Sequence, residues 1–148
     1  MRLSNNTTVA KNTPIYVGAN FTWGEATKNL TRLPQDLIIN GKLIISAKQI
    51  ERNIIATAKY LDDVRSILGD RPMIVTSWYR PPHINRRVGG SVWSRHQFGD
   101  AVDFRSNYHH PHQIYKLLNN WHGNKGGLGR YYSFTHVDLR GSKARWCG

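Results

Sequence analysis

Cysteine is almost missing from this chain. The one thiol, Cys147, lies next to the C-terminus. It has no partner for an internal disulfide, and the paired-cysteine spacings of structural zinc sites are absent. Any bound metal must therefore draw its ligands from histidines and carboxylates. Long apolar runs are missing too: none approaches the ~20 residues that a membrane-spanning helix needs. The opening MRLSNNTTVAKN is positively charged with no apolar stretch behind it, which does not read as a secretory signal. Acidic residues are few, nine against 21 lysines and arginines, for a net charge of +12. Such an excess attracts polyanions at long range. Nucleic acid and a wall carrying peptide carboxylates and anionic polymers are both candidates, and solubility alone is a third reading.

What is present is enough for one compact core. The 148 residues match the usual size of a single domain. Residues 1–19 are polar and read as a poorly ordered or extended lead-in, with a single domain over 20–148. Thr22 and Glu25 have capping-box spacing and predict a short helix over 23–29. Over 46–68, Ile50, Ile54, Ala58, Leu61, Val64 and Leu68 recur at steps of three and four, between a capping Ser46 and a terminating Gly69. That stripe predicts the scaffold helix, packed on the core. Residues 73–79 read as a strand, 83–99 as loop, and 101–104 as a second short strand. Pro111 opens a helix to about Trp121 with Ile114, Leu117 and Leu118 on one face. A flexible glycine loop over 123–129 and one or two strands over 131–140 complete the chain. Helices followed by strands predict an α+β fold: a small antiparallel sheet with flanking helices.

The chemically informative stretch is Ser94-Arg95-His96-Gln97-Phe98-Gly99-Asp100-Ala101-Val102-Asp103. A histidine in a loop precedes a glycine turn, and a carboxylate follows on a strand whose alternation puts Ala101, Asp103 and Arg105 on one face. Downstream, His136 and Asp138 share a face of another strand. Two imidazoles and one carboxylate can hold a catalytic Zn²⁺ with a position left for water. On spacing alone the bland alternative stands beside this one: a turn-capping Asp103 and surface histidines, as His83, His109, His110, His112 and His122 are read.

The pattern S-x-H-x-x-G-x-A-x-D followed by H-x-D resembles the zinc D-Ala-D-Ala carboxypeptidase and endopeptidase family, of the broader group that includes lysostaphin-type enzymes and the hedgehog zinc domain. Thr76-Ser77-Trp78-Tyr79-Arg80-Pro81-Pro82, then Asn85 and Val88-Gly89-Gly90, is similar to the segment this family places before its first zinc histidine. Asn20-Phe21-Thr22-Trp23-Gly24-Glu25 resembles its opening helix, and Gly126-Gly127-Leu128-Gly129 fits before the final strand. The resemblance implies one zinc ion on His96, Asp103 and His136, Arg80 stabilising the oxyanion, and Ser94 supporting the first ligand. It also implies a peptidoglycan peptide as substrate, for endopeptidase or carboxypeptidase action. One departure stands out. Many members carry a catalytic carboxylate three residues before the last zinc histidine, where this chain has Ser133. The nearest replacement is Asp138 as general base, with orientation of a ligand histidine or pairing with Arg80 or Arg140 as its other possible roles.

Three functions compete at this point. The first is a zinc peptidase of bacterial cell wall, which without an export signal suits a phage lysin or a virion wall-piercing protein acting as a monomer. The second keeps the zinc fold as a non-catalytic wall-binding or virion structural module. The third is a basic nucleic-acid binder that stacks bases on Trp78, Tyr79 and Trp93; no nucleic-acid motif supports it. In the first reading Trp78 and Tyr79 line the path of the wall peptide.

Overall fold

The computed structural model describes residues 1–148. It is an α+β arrangement in which a five-stranded sheet has its core on one face and its polar cluster on the other. The scaffold helix α2 (Ala47–Ile67) starts where Ser46 caps the backbone N–H of Gln49 and ends before Gly69, whose φ is +85°. Its stripe Ile50, Ile54, Ala58, Leu61 and Val64 is fully buried. The capping box of Thr22 and Glu25 forms as expected, but its helix α1 is a single turn, Trp23–Ala26, because Lys28, Asn29 and Leu30 all turn left-handed. Trp23 and Phe21 are buried, and Phe21 meets Trp78 edge-on at 6.3 Å.

The main sheet has the order β3-β4-β6-β5-β7, where β3 is Ile74–Ser77, β4 Ala101–Arg105, β5 Gly127–Arg130, β6 Thr135–Asp138 and β7 Ala144–Cys147. Its pairings are antiparallel except the last, in which β7 runs parallel to β5. The sheet is thus mixed rather than purely antiparallel, and the C-terminal residues form a strand that the sequence pattern did not predict. Helix α4 (Pro111–His122) begins at Pro111 and buries Ile114 and Leu118, while Leu117 is exposed instead of facing the core. Val102, Phe104, Leu128 and Val137 point from the sheet into the same core as α2 and α4.

Three sequence expectations are corrected. The lead-in is ordered: Val9 and Ile15 are buried in the core, the terminal amine donates to the Val9 carbonyl at 2.9 Å, and Tyr16 bonds Asp62 of α2. The supposed loop over 83–99 contains helix α3 (Pro82–Arg87) and a 3₁₀ turn at Arg95–Phe98. The glycine segment is not a flexible loop, since Gly127 and Gly129 lie in β5. A two-stranded hairpin, β1 (Leu37–Ile39) and β2 (Lys42–Ile45), turns through Asn40 and Gly41, both with positive φ. No helix is long and apolar enough to cross a membrane.

Candidate metal centre

Strand register builds the site. Ser77, Asp103, His136, Gly129 and Trp146 pair in succession across all five strands, so they form one row on the face opposite the core. Asp103 and His136 are cross-strand neighbours in that row. His96 reaches them from the 3₁₀ turn just before β4, where Ser94 Oγ accepts from its backbone N–H and Gly99 turns left-handed to send the chain into the strand. One ligand atom from each of His96, Asp103 and His136 lies within 4.8 Å of the others.

The hydrogen bonds select the atoms that face this point. His96 Nδ1 is 2.6 Å from the Trp78 carbonyl, so it carries the proton and leaves Nε2 free, 3.2 Å from Asp103 Oδ2. His136 Nε2 is 2.8 Å from Asp138 Oδ2, which turns Nδ1 inward, 2.8 Å from Asp103 Oδ1. Burial works against charge on His136, but its bonds to the two aspartates outweigh this and raise its pKa. Burial likewise opposes ionisation of Asp103, and the two histidines overcome it and hold the carboxyl well below the usual range. Two imidazole nitrogens and a carboxylate, each histidine braced on its far nitrogen, fit the donor set and outer hydrogen bonding of a catalytic zinc site.

Asp138 does not sit where a general base would. Its side chain is wholly buried. Oδ1 accepts from the Gly127 N–H at 2.9 Å, the Arg140 N–H at 3.2 Å and Arg140 Nε at 2.9 Å. Oδ2 accepts from His136 and from Arg140 at 2.7 Å. Burial alone would raise its pKa, yet the bonds from His136, Arg140 and Gly127 prevail and push it far down. A carboxylate so saturated has no free lone pair for a water proton. Ser133 is exposed.

Arg80 is half-buried next to the cluster, near the charge of Asp103. Its backbone N–H donates to the His96 carbonyl at 3.0 Å, and its guanidinium donates to Asn85 Oδ1 at 3.2 Å. Burial lowers its pKa and the nearby charge of Asp103 partly restores it. Asn85, itself buried, donates to the Ser91 carbonyl at 2.8 Å. Gly90 is required here, because a Cβ would come within 2.1 Å of Asn85 Oδ1. Asn85 thus braces the Arg80 guanidinium, a contact not assigned from sequence, although the N-x-x-x-x-G spacing that carries it is visible there.

Trp78 and Tyr79 are corrected as substrate contacts. Both side chains are buried; Trp78 bonds the Gly99 carbonyl, and the Tyr79 hydroxyl accepts from the Gln35 N–H. Trp78 serves the site through its carbonyl alone. The stacking surface offered for nucleic acid shrinks to Trp93 with them. A cleft of about 440 Å³ opens over the row, lined by Trp93 and Arg95 on one side and by Tyr131, Phe134 and Trp146 on the other. Trp146 lies across Gly129, whose Cβ would be 2.4 Å from its Nε1, and its ring centre is 5.0 Å from that of His136. His83, His110 and His112 are exposed as expected; His109 is half-buried and bonds the Leu68 carbonyl, and His122 is buried.

The Peptidase M15 family matches residues 19–138, a span that includes α1, Arg80 and every residue of the metal cluster. The zinc D-Ala-D-Ala carboxypeptidase of Streptomyces albus G is 36% identical over 84 residues, which cover 57% of this chain and 30% of that protein. This chain therefore spans well under two thirds of that relative. With the family matched over most of the chain and the cluster assembled in space, the chain belongs to the peptidase M15 family.

Proposed function

We propose that this protein hydrolyses a peptide bond of bacterial peptidoglycan, using one zinc ion held by His96 Nε2, Asp103 and His136 Nδ1. The observation that carries the proposal is the convergence of these three ligand atoms within 4.8 Å, with both outer imidazole nitrogens already committed. Zinc supplies Lewis acidity, lowering the pKa of water to about 7 and polarising the scissile carbonyl. The chain's own groups orient and stabilise. Asp138 fixes the tautomer of His136, the Trp78 carbonyl fixes that of His96, and Arg80 offers positive charge to the developing oxyanion. The substrate assignment is supported by the name of the Streptomyces relative. All ligands come from one chain, so a monomer suffices. The experiment is digestion of purified sacculi by the zinc-loaded protein, with fragments identified by mass spectrometry. Intact sacculi after prolonged digestion would reject the proposal.

A second reading, a zinc-containing wall-binding module without catalysis, is favoured by one observation: Asp103 is the only acid lining the cleft, and it belongs to the metal cluster. In that case the protein sediments with sacculi and releases no fragments.

Arg80→Ala separates the two readings further. It is expected to lower the hydrolysis rate by on the order of 10²–10³ with zinc still bound. Arg80→Lys restores only part, since lysine lacks the planar fork that reaches Asn85. Turnover near that of the wild type in Arg80→Ala would reduce Arg80 to a structural residue.

We also place the activity in wall degradation of the lysin type, supported by the charge distribution. Asp63 alone among the acidic residues makes no side-chain hydrogen bond or ion pair, so acids are kept where the fold or site uses them and the remaining surface is basic. Binding to anionic sacculi should therefore weaken several-fold between about 0.05 and 0.5 M salt, as screening shortens to a few ångströms. Salt-independent cosedimentation would remove the electrostatic part of the argument.

A further inference from the structure

His122 lies outside the metal cluster and its immediate partners, yet it is fully buried and both ring nitrogens are engaged. It ends α4. Its Nε2 is 2.9 Å from the Gly127 carbonyl and its Nδ1 is 2.5 Å from the Tyr60 hydroxyl of α2. A carbonyl can only accept, so Nε2 carries the proton and Nδ1 accepts from Tyr60. Gly127 is the residue whose N–H meets Asp138 Oδ1, and Asp138 Oδ2 in turn holds His136 Nε2. A line of hydrogen bonds, carried through the Gly127 backbone, thus runs from the scaffold helix to the histidine whose other nitrogen faces Asp103.

The segment in the middle of this line can be held only from outside. A Cβ at Gly126 would come within 1.8 Å of the Asp138 carbonyl oxygen, and one at Gly127 within 2.6 Å of Asp138 Oδ2. The backbone therefore presses against β6 with no side chains of its own to fix it. Two side chains grip it, beside the backbone pairing of Gly127 with Ala144 of β7 and the Ala144 N–H on the Gly126 carbonyl. Arg145 of β7 donates to the carbonyls of Asn119, Gly123 and Gly126 at 3.1, 2.9 and 2.8 Å, and His122 takes the carbonyl of Gly127. Of these two, only His122 bonds the residue that touches Asp138.

We propose that His122 is a positioning residue for the metal centre, fixing Gly127 so that Gly127 and Asp138 hold His136 with Nδ1 turned toward Asp103. This rests on the zinc reading given above. The test uses the full chain, stripped of metal and titrated with zinc against a chromophoric chelator. The imidazole N–H proton of His136 is followed by ¹H–¹⁵N NMR in the zinc-loaded protein. His122→Leu should weaken zinc binding several-fold, less than the ~10- to 100-fold cost of losing a ligand's direct partner, and should shift or broaden that N–H signal. His122→Gln, which keeps a side-chain N–H for the Gly127 carbonyl, should recover most of the affinity. Tyr60→Phe should move both readouts in the direction of His122→Leu. If His122→Leu fails to fold, Tyr60→Phe decides: lowered affinity supports the proposal, and wild-type affinity with an unshifted signal overturns it. A lower melting temperature with unchanged affinity in His122→Leu also overturns it, leaving His122 as core. Failure of the wild type to bind zinc would instead strike the functional proposal itself.

Discussion

Replacing His136 by alanine is expected to abolish zinc binding and peptidoglycan hydrolysis together. His136 Nδ1 is one of only three ligand atoms, and the other two come from a single imidazole and a single carboxylate. Catalytic zinc sites ordinarily keep three protein ligands and leave the remaining position for water or substrate. Losing a mere partner behind a ligand costs about 10- to 100-fold in affinity, and losing the ligand exceeds that. The substitution also strips Asp138 Oδ2 of the bond it receives from the Nε2–H of this ring. Removing the ion from the wild type with a chelator should reproduce the loss of activity, and added zinc should reverse it there and not in His136→Ala. Elemental analysis and release of soluble fragments from sacculi check both statements. One equivalent of tightly held zinc in the alanine variant would show that the cluster is not the metal site.

The three side chains of the cluster were named through the family resemblance, and the local part of their arrangement is legible in the sequence. A glycine three residues after His96 turns the chain, strand alternation puts Asp103 on one face, and the same alternation pairs His136 with Asp138. Cross-strand register, which sets Asp103 beside His136, depends on β4 meeting β6 across the long segment 106–134 and is written in no local pattern. For the same reason Trp78 and Tyr79 were misplaced. An aromatic pair at a strand end reads equally as core or as ligand surface until the packing of Phe21 against Trp78 decides it. His122 was misread because a lone histidine near a helix end looks solvated, and only the approach of Tyr60 from α2 gives it a partner. The hairpin at Asn40-Gly41 is a different case. Its turn signal, two residues that tolerate positive φ between apolar runs, is present in the sequence. The parallel strand β7 has only four residues and gains its place from Gly127 and Gly129, whose missing side chains leave room for Trp146.

Asp138→Asn should weaken zinc binding, lower the melting temperature, and regain activity when zinc is raised. Five donor hydrogens converge on the carboxylate, from Gly127, His136 and three positions of Arg140. Asparagine offers one oxygen in place of two, so either orientation of its amide sets N–H groups against donors. If the NH₂ turns toward Gly127 and Arg140, the buried backbone N–H loses its acceptor. If it turns toward His136, the imidazole is driven to the opposite tautomer, with the proton on Nδ1 where the ion must bind. The affinity loss is expected at about 10- to 100-fold. Breaking a buried pair from one side costs about 3 kcal/mol at the lower end of the usual range, and Arg140 is partly exposed, so the lower end applies. At 2–4 °C per kcal/mol for a chain of this size, that is a fall of roughly 10 °C. Zinc dependence distinguishes the roles of Asp138. A positioning carboxylate leaves the rate recoverable at saturating zinc, because the reacting groups are otherwise intact. A proton acceptor leaves zinc affinity and melting unchanged and the rate low at every zinc concentration. That second pattern would return the general-base role to Asp138 and require its buried carboxylate to open toward the cleft.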